Sequence, residues 1–331
     1  MSAPTGGAGM SAPAGGAGTS PSAATSSVSW VKGHGTLNDF VLLDDPDGQL
    51  FGELDAALVR HLCDRRTGVG ADGVLRVIRA GAAAAVPTVE GAEWFMDYRN
   101  ADGSIAEMCG NGVRVFAQYL LATGRAVPGA PVAVGTRDGL RTARPVPPPG
   151  PSTPVAASGA GTGDPATGWW SVDMGIADLA RHRSDRAPLS VAVDGDPRLR
   201  AAVGVDVGNP HAVVFVEDLA DAGPLVLAPQ VTPPGVFTDG VNVEFVVRTG
   251  PSSFRMRVHE RGAGETPSCG TGICAAAAAL HAAVEAAGPV TWDVEVRGGQ
   301  LSAEVVPAGT DRYRVVLTGP AVLVGEGRLT R

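Results

Sequence analysis

Cysteine is scarce in this chain. Four of 331 residues, Cys63, Cys109, Cys269 and Cys274, are too few for a disulfide-stapled protein, and their spacing matches neither paired Cys-x-x-Cys nor Cys/His zinc sets. A reducing compartment, the cytoplasm, and no metal are the expectation. Basic clusters are missing as well. With 26 Lys and Arg against 34 Asp and Glu the formal charge is -8, and no block of positive residues gathers to attract nucleic acid or an anionic membrane. No stretch has the length and apolarity of a membrane span, and the first residues have neither the basic start nor the apolar run of a signal or anchor. The 44% apolar and 18% charged residues are ordinary for a soluble globular protein, and the length allows two domains.

Residues 1 to 27 are built from Gly, Ala, Ser, Thr and Pro, with little to bury, so backbone entropy predicts a disordered tail and folding that starts near Val28. A second such segment, 144 to 168, begins proline-stiff and ends glycine-flexible, as a linker or long surface hairpin would. Short β-type runs fill the rest. They start at 40, 73, 94, 131, 169, 211, 243, 254, 291 and 313, and in one of them Phe254, Met256 and Val258 alternate with Arg255, Arg257 and His259. Helical patterns are fewer: an amphipathic one over 53 to 66, and two that are apolar on nearly every face, 112 to 122 and 272 to 287. Each apolar helix is led in by Cys-Gly-x-Gly, "CGNG" at 109 and "CGTG" at 269, an offset of 160 residues. The repeat predicts two similar α+β domains, each wrapping sheet around one central helix.

The first N–H groups of a helix lack partners inside it and, with the aligned peptide dipoles, make a seat for an anion. A cysteine there is expected to gain thiolate character, while flanking glycines let a carboxylate approach bare backbone. If the two helix starts face each other, one sulfur lies on each side of the carbon beside a shared carboxylate. One thiolate can then remove an α-proton while the opposite thiol returns one to the other face, inverting configuration without pyridoxal phosphate or metal. A lone cysteine at a helix start is more often a small buried apolar residue, but two copies with matching glycines are hard to explain by packing. For Cys63 and Cys274, which lack the glycines, the packing reading stands.

"MCGNG" at 108 to 112 and "ERGAGETPSCGTG" at 260 to 272, with "HGTLNDF", "NADGSIAEMCGNG", "GNPHAVV" and "DGVNVEF" in order, resemble the diaminopimelate epimerase family over nearly the whole chain from about Trp30. The resemblance implies a cofactor-independent enzyme interconverting L,L- and meso-2,6-diaminopimelate, with Cys109 and Cys269 as base and acid. It implies N–H groups of Gly110, Asn111, Gly270 and Thr271 on the α-carboxylate, and Asn38 and Glu260 at the reacting amino group. Asn100, Asn209, Asn242 and Arg261 would read the distal end, and His211 would support catalysis. Taken singly, each asparagine reads as a turn residue, Arg261 as half of a surface ion pair with Glu260, and His211 as a satisfied core histidine.

The resemblance also implies a homodimer acting on a small amino acid, and a strongly curved mixed or antiparallel sheet, or barrel, around each central helix. Repeat and resemblance together divide the chain into 28 to 172, 173 to 317, and a segment 318 to 331 returning to the first domain. Gly73 departs from the Gln of many relatives and leaves one contact open. The hexapeptide Gly68 to Gly73 fits G-x-G-x-x-G but lacks the strand-to-helix context of a dinucleotide site. The alternatives are a proline racemase-like or hydroxyproline epimerase-like enzyme, which typically carries His at position 111, and a thiol-redox or binding protein.

Overall fold

The computed structural model describes residues 27–149, 166–179 and 188–330. The first half contains β1 (Ser27–Gly35), β2 (Asn38–Asp44), α1 (Ala56–Cys63), β3 (Gly73–Arg79), β4 (Trp94–Asn100), α2 (Gly110–Ala122), β5 (Val132–Thr136), β6 (Gly139–Val146) and β7 (Thr167–Asp178). The second contains β8 (Ser190–Val193), β9 (Asp196–Asp206), β10 (Pro210–Phe215), β11 (Gln230–Thr232), β12 (Asn242–Gly250), β13 (Ser253–Glu260) and β14 (Gly264–Thr266). It ends with α3 (Gly270–Ala283), β15 (Val290–Val296), β16 (Gly299–Pro307) and β17 (Arg312–Thr330).

Pairing closes these strands into two rings. In the first, β1 to β7 follow one another, parallel at β2/β3 and β4/β5 and antiparallel elsewhere, and β17 closes the circuit by pairing with both β7 and β1. In the second the order is β9, β10, β12, β13, β15, β16, β17 and back through β7 to β9, with parallel steps at β10/β12 and β13/β15. Each ring encloses one helix. Helix α2 touches every strand of the first, and α3 touches β7, β9, β10, β12, β15, β16 and β17 of the second.

That position requires a helix with no side turned to solvent. Every residue of α2 from Gly110 to Leu120 is buried, and in α3 the run Ala275–Ala279 is at most 1% exposed. Alanine suits α3 twice, as the best helix former and as a side chain small enough for barrel walls to close around it. Phe116, Leu120 and Val113 fill the wider space around α2, each contributing roughly 1.5–3 kcal/mol by burial. One continuous hydrophobic core runs through both rings. Helix α1 instead lies outside the first ring, packing Leu58, Val59, Leu62 and Cys63 on Val41, Leu43 and Val74.

The two rings repeat strand for strand. Gly73 pairs with Phe40 and Asn100 in the first ring, as Asn242 pairs with His211 in the second. Val172 of β7 pairs with Ala143 and Leu317, and Leu317 of β17 pairs in turn with Ala303, 160 residues after Ala143. A pseudo-twofold axis therefore passes between Val172 and Leu317.

Some expectations shift. Helix α1 is shorter than 53 to 66, because the Asp64 carboxylate accepts from the N–H groups of Arg66 and Thr67 and turns the chain away. Both ends of the segment 144 to 168 are strand: Arg144, Pro145 and Val146 pair with Ser171, Trp170 and Trp169, while 150–165 lie outside the described residues. The predicted tail lies outside them too, apart from Ser27, which opens β1. On β13 the alternation holds for the inward Phe254, Met256 and Val258, but His259 is buried as well.

Candidate active site

Both repeated cysteines are helix N-caps. Cys109 has extended backbone, and its sulfur accepts from the N–H of Gly112 at 3.5 Å; Cys269 has the same conformation and accepts from Gly272 at 3.4 Å. The helix starts abut. A Cβ built on Gly270 would lie 3.5 Å from the backbone nitrogen of Asn111 and 3.3 Å from Leu317 on the pseudo-twofold axis, and the side-chain amide of Asn111 donates to the Ser268 carbonyl at 3.4 Å. All four cysteines are free thiols.

The cap geometry leaves the backbone N–H of Gly110 for a ligand, with that of Asn111 turned toward the sulfur, since Gly112 is occupied by sulfur and Val113 already bonds the Cys109 carbonyl. A Cβ on Gly110 would lie 2.7 Å from the Met174 methyl, so the end of that side chain packs directly on the start of α2.

Around Cys109 the network is of amides. Its thiol donates to Oδ1 of Asn38 at 3.7 Å, the same oxygen accepts from Asn111 at 3.1 Å, and the Asn38 amide nitrogen donates to Asp72 at 2.9 Å. Asn38 is delivered by a tight turn in which Thr36 and Leu37 both have positive φ, 51° and 63°, a strained conformation for a β-branched residue. Thr36 repays it in part by donating to the Ser268 hydroxyl at 2.7 Å, which ties the turn to the lead-in of Cys269.

Around Cys269 the network is acidic. Its sulfur lies 3.5 Å from the Thr271 hydroxyl, which accepts from Asn209 at 3.4 Å; Asn209 contacts Nε2 of His211 at 2.9 Å, and Nδ1 of His211 meets Glu244 at 2.7 Å. Glu260 hydrogen-bonds both Thr266 and Cys269. Asn242 accepts from the backbone N–H of Arg261 at 2.9 Å, and the Arg261 guanidinium, at the rim, donates to the Asp239 carbonyl. Arg261 forms no ion pair with Glu260 among the described residues, so its charge remains available for an anion. Asn100 bonds Ser104 at 3.0 Å and joins neither network.

The expected thiolate character is corrected here. Burial, the largest cause, pushes the Cys109 thiol up to about 11, with the negative charge of Glu260 adding to it. The N–H groups of Gly112 and Asn111 and the charge of Arg114 pull the other way without winning. Cys269 is raised well above the usual thiol range by burial, Glu260 and Glu244. Helix-end partial charges stabilise a thiolate, but burial and the neighbouring carboxylates cost it more. Burial likewise raises Glu260. Both shifts favour the protonated thiols at neutral pH.

Several residues that shape the site escape sequence reasoning. Asp72, Glu244, Thr266 and Ser268 lie inside stretches singled out above but were assigned no role there, although a glutamate inside the apolar run "VNVEFVV" was a signal. Tyr98 was missed as well. Its ring stacks edge-on against Phe40 at 5.8 Å and passes 2.7 Å from where a Gly73 Cβ would stand, so it fills the space a side chain at 73 would need. Its phenol is raised well above its usual value, first by burial and then by Cys109, Glu260, Asp72 and Cys269.

The diaminopimelate epimerase family model matches residues 30–145 and 203–324. A diaminopimelate epimerase of Streptomyces coelicolor is 46% identical over 313 residues, covering 92% of this chain and 96% of that protein. One from Rhodococcus opacus is 44% identical over 310 residues, covering 90% and 96%. Among solved structures, a PhzF-family phenazine biosynthesis protein of Bacillus anthracis superposes with a TM-score of 0.62 at 15% identity, covering 92% and 100% of the two chains. A hydroxyproline epimerase from Agrobacterium vitis gives 0.61 at 14%, covering 92% of each. At such identities these two show the fold alone, a sheet-dominated frame with few helices. The matched family model and the relatives covering nine-tenths of the chain make it a member of the diaminopimelate epimerase family.

Proposed function

We propose that the chain interconverts L,L-2,6-diaminopimelate and meso-2,6-diaminopimelate through Cys109 and Cys269, with no cofactor. The observation that carries the mechanism is the pair of abutting helix starts, each capped by a free thiol. The α-carboxylate seats on N–H groups of Gly110, Asn111, Gly270 and Thr271, and Asn38 and Glu260 receive the α-ammonium. That ammonium adds positive charge beside the sulfurs, so one thiol can ionise. Its thiolate takes the α-proton, the opposite thiol gives its proton to the other face, and the two sulfurs finish with thiol and thiolate exchanged. His211 steadies Asn209 and, through it, Thr271. Asn209, Asn242 and Arg261 read the distal end together with Asn100, and Arg261 supplies a charge for a second carboxylate that a proline-like ring does not have.

The two halves, 28 to 172 and 173 to 317 with 318 to 331 returning to the first, close around the substrate and exclude water. A cytoplasmic homodimer is part of the same reading, on the strength of the family resemblance. The test is proton exchange. In deuterated buffer with reductant, diaminopimelate should take deuterium at its α-carbon, and Cys109→Ala or Cys269→Ala should slow epimerisation by at least about 10²–10⁴-fold. Folded wild-type protein that exchanges nothing, or that turns over proline instead, sinks the proposal.

A further inference from the structure

Arg114 is a buried cation whose hydrogen bonds, among the described residues, go to a carbonyl and an amide and to no carboxylate. It sits in the second turn of α2, 0% exposed, in a helix whose other buried side chains are nearly all apolar. Its Nη2 donates to Oδ1 of Asn111 at 2.7 Å and its Nε to the Pro320 carbonyl at 3.3 Å, while Nη1 has no partner. Room for it comes from two glycines on different strands: a Cβ on Gly35 would lie 3.0 Å from Nη2, and one on Gly319 would lie 3.2 Å from Cζ. A buried charge without a counter-ion is among the costliest groups a fold can keep.

We infer that Arg114 is a positioning residue: it locks the amides of Asn111 and Asn38 in one orientation over Cys109 and puts fixed positive charge beneath the start of α2. An amide can flip, presenting oxygen or nitrogen to the same neighbour. Here neither can. A guanidinium only donates and a carboxylate only accepts, so Arg114 at one end and Asp72 at the other dictate the sequence Arg114 to Asn111 to Asn38 to Asp72, every donor facing an acceptor. The oxygen of Asn38 is thereby turned toward the Cys109 thiol. The charge persists at neutral pH, since burial lowers the guanidinium only to about 10. Its missing counter-ion is whichever anion forms or seats at the helix start, the Cys109 thiolate or a ligand carboxylate. The ionisable groups bearing on Cys109 are then Arg114, Glu260 and the Tyr98 phenol.

The inference rests on Cys109 being a working thiol, but its test needs no turnover. Full-length wild type, Arg114→Gln and Arg114→Lys are alkylated with iodoacetamide from pH 7 to 10, and each cysteine is followed by peptide mass spectrometry. Arg114→Gln should slow Cys109 at every pH at least about threefold and leave Cys269 unchanged, whereas Arg114→Lys should keep the wild-type rate. With diaminopimelate, both variants should lose kcat more than they raise KM. A Cys109 profile in folded Arg114→Gln that matches wild type overturns the inference. Should that variant not fold, Arg114→Lys decides: it keeps the charge but not the planar fork, so an undiminished kcat overturns the positioning role and a tenfold loss supports it. Wild type that exchanges no deuterium refutes the epimerase reading, and the alkylation profiles still judge Arg114.

Discussion

Single residues in this chain matter most where burial and polarity collide. Glu244 is fully buried with one oxygen on His211 and the other unpartnered, so Glu244→Ala should cost about 3 kcal/mol by stranding the imidazole, measured by denaturant unfolding. Gly73 tolerates nothing larger: a Cβ would stand 2.6 Å from the Arg99 carbonyl, so Gly73→Ala should destabilise by roughly 1–3 kcal/mol. Cys63 and Cys274 titrate near 12 because of burial, against an ordinary 9.0. The folded chain holds those protons longer than the unfolded one. Stability from these thiols is therefore intact below about pH 9 and lost as pH rises toward 12, and a melting temperature followed across that window should fall less steeply in Cys274→Ala. At this scale the sequence displayed the two cysteines and their glycines because the motif repeats. It could not display Arg114 or Tyr98, whose importance lies in what surrounds them rather than in neighbours along the chain.

The elements were legible where one periodicity governed them. Strands with inward Val, Phe and Met, and two largely apolar helices, follow directly from patterning, as does the cap at each helix start. Strand β9 gives no such signal, because most of its eleven residues are exposed or half-buried, and the three-residue β11 and β14 are too short to carry a period. β6 was partly read as linker because Pro145 lies in it. The packing of α3 makes a sharp prediction. Ala277→Leu should lower stability by roughly 1–3 kcal/mol, even though leucine favours helix about as well, since the barrel wall leaves no room; calorimetry against a surface alanine substitution would separate packing from propensity.

On the scale of the molecule, β17 is the strand on which both rings close. It pairs with β16 and β7 in its first part and with β1 along its last, from Val322 to Thr330. Deleting residues 320–331 removes the β1 pairing and the Pro320 carbonyl that holds Arg114, so it should broaden thermal unfolding and abolish exchange together. The 160-residue offset was visible in the chain, whereas the strand register that realises it depends on pairings between distant segments and was not. That register has a further meaning. A half-turn about the axis at Val172 and Leu317 carries Cys109 onto Cys269, Asn38 onto Asn209, Asn100 onto Glu260 and Phe40 onto His211. The two thiols thus sit in matching backbone surroundings, which suits a reaction that runs in either direction between the two faces of one carbon. Any bias toward one isomer has to be written at the positions where the halves differ.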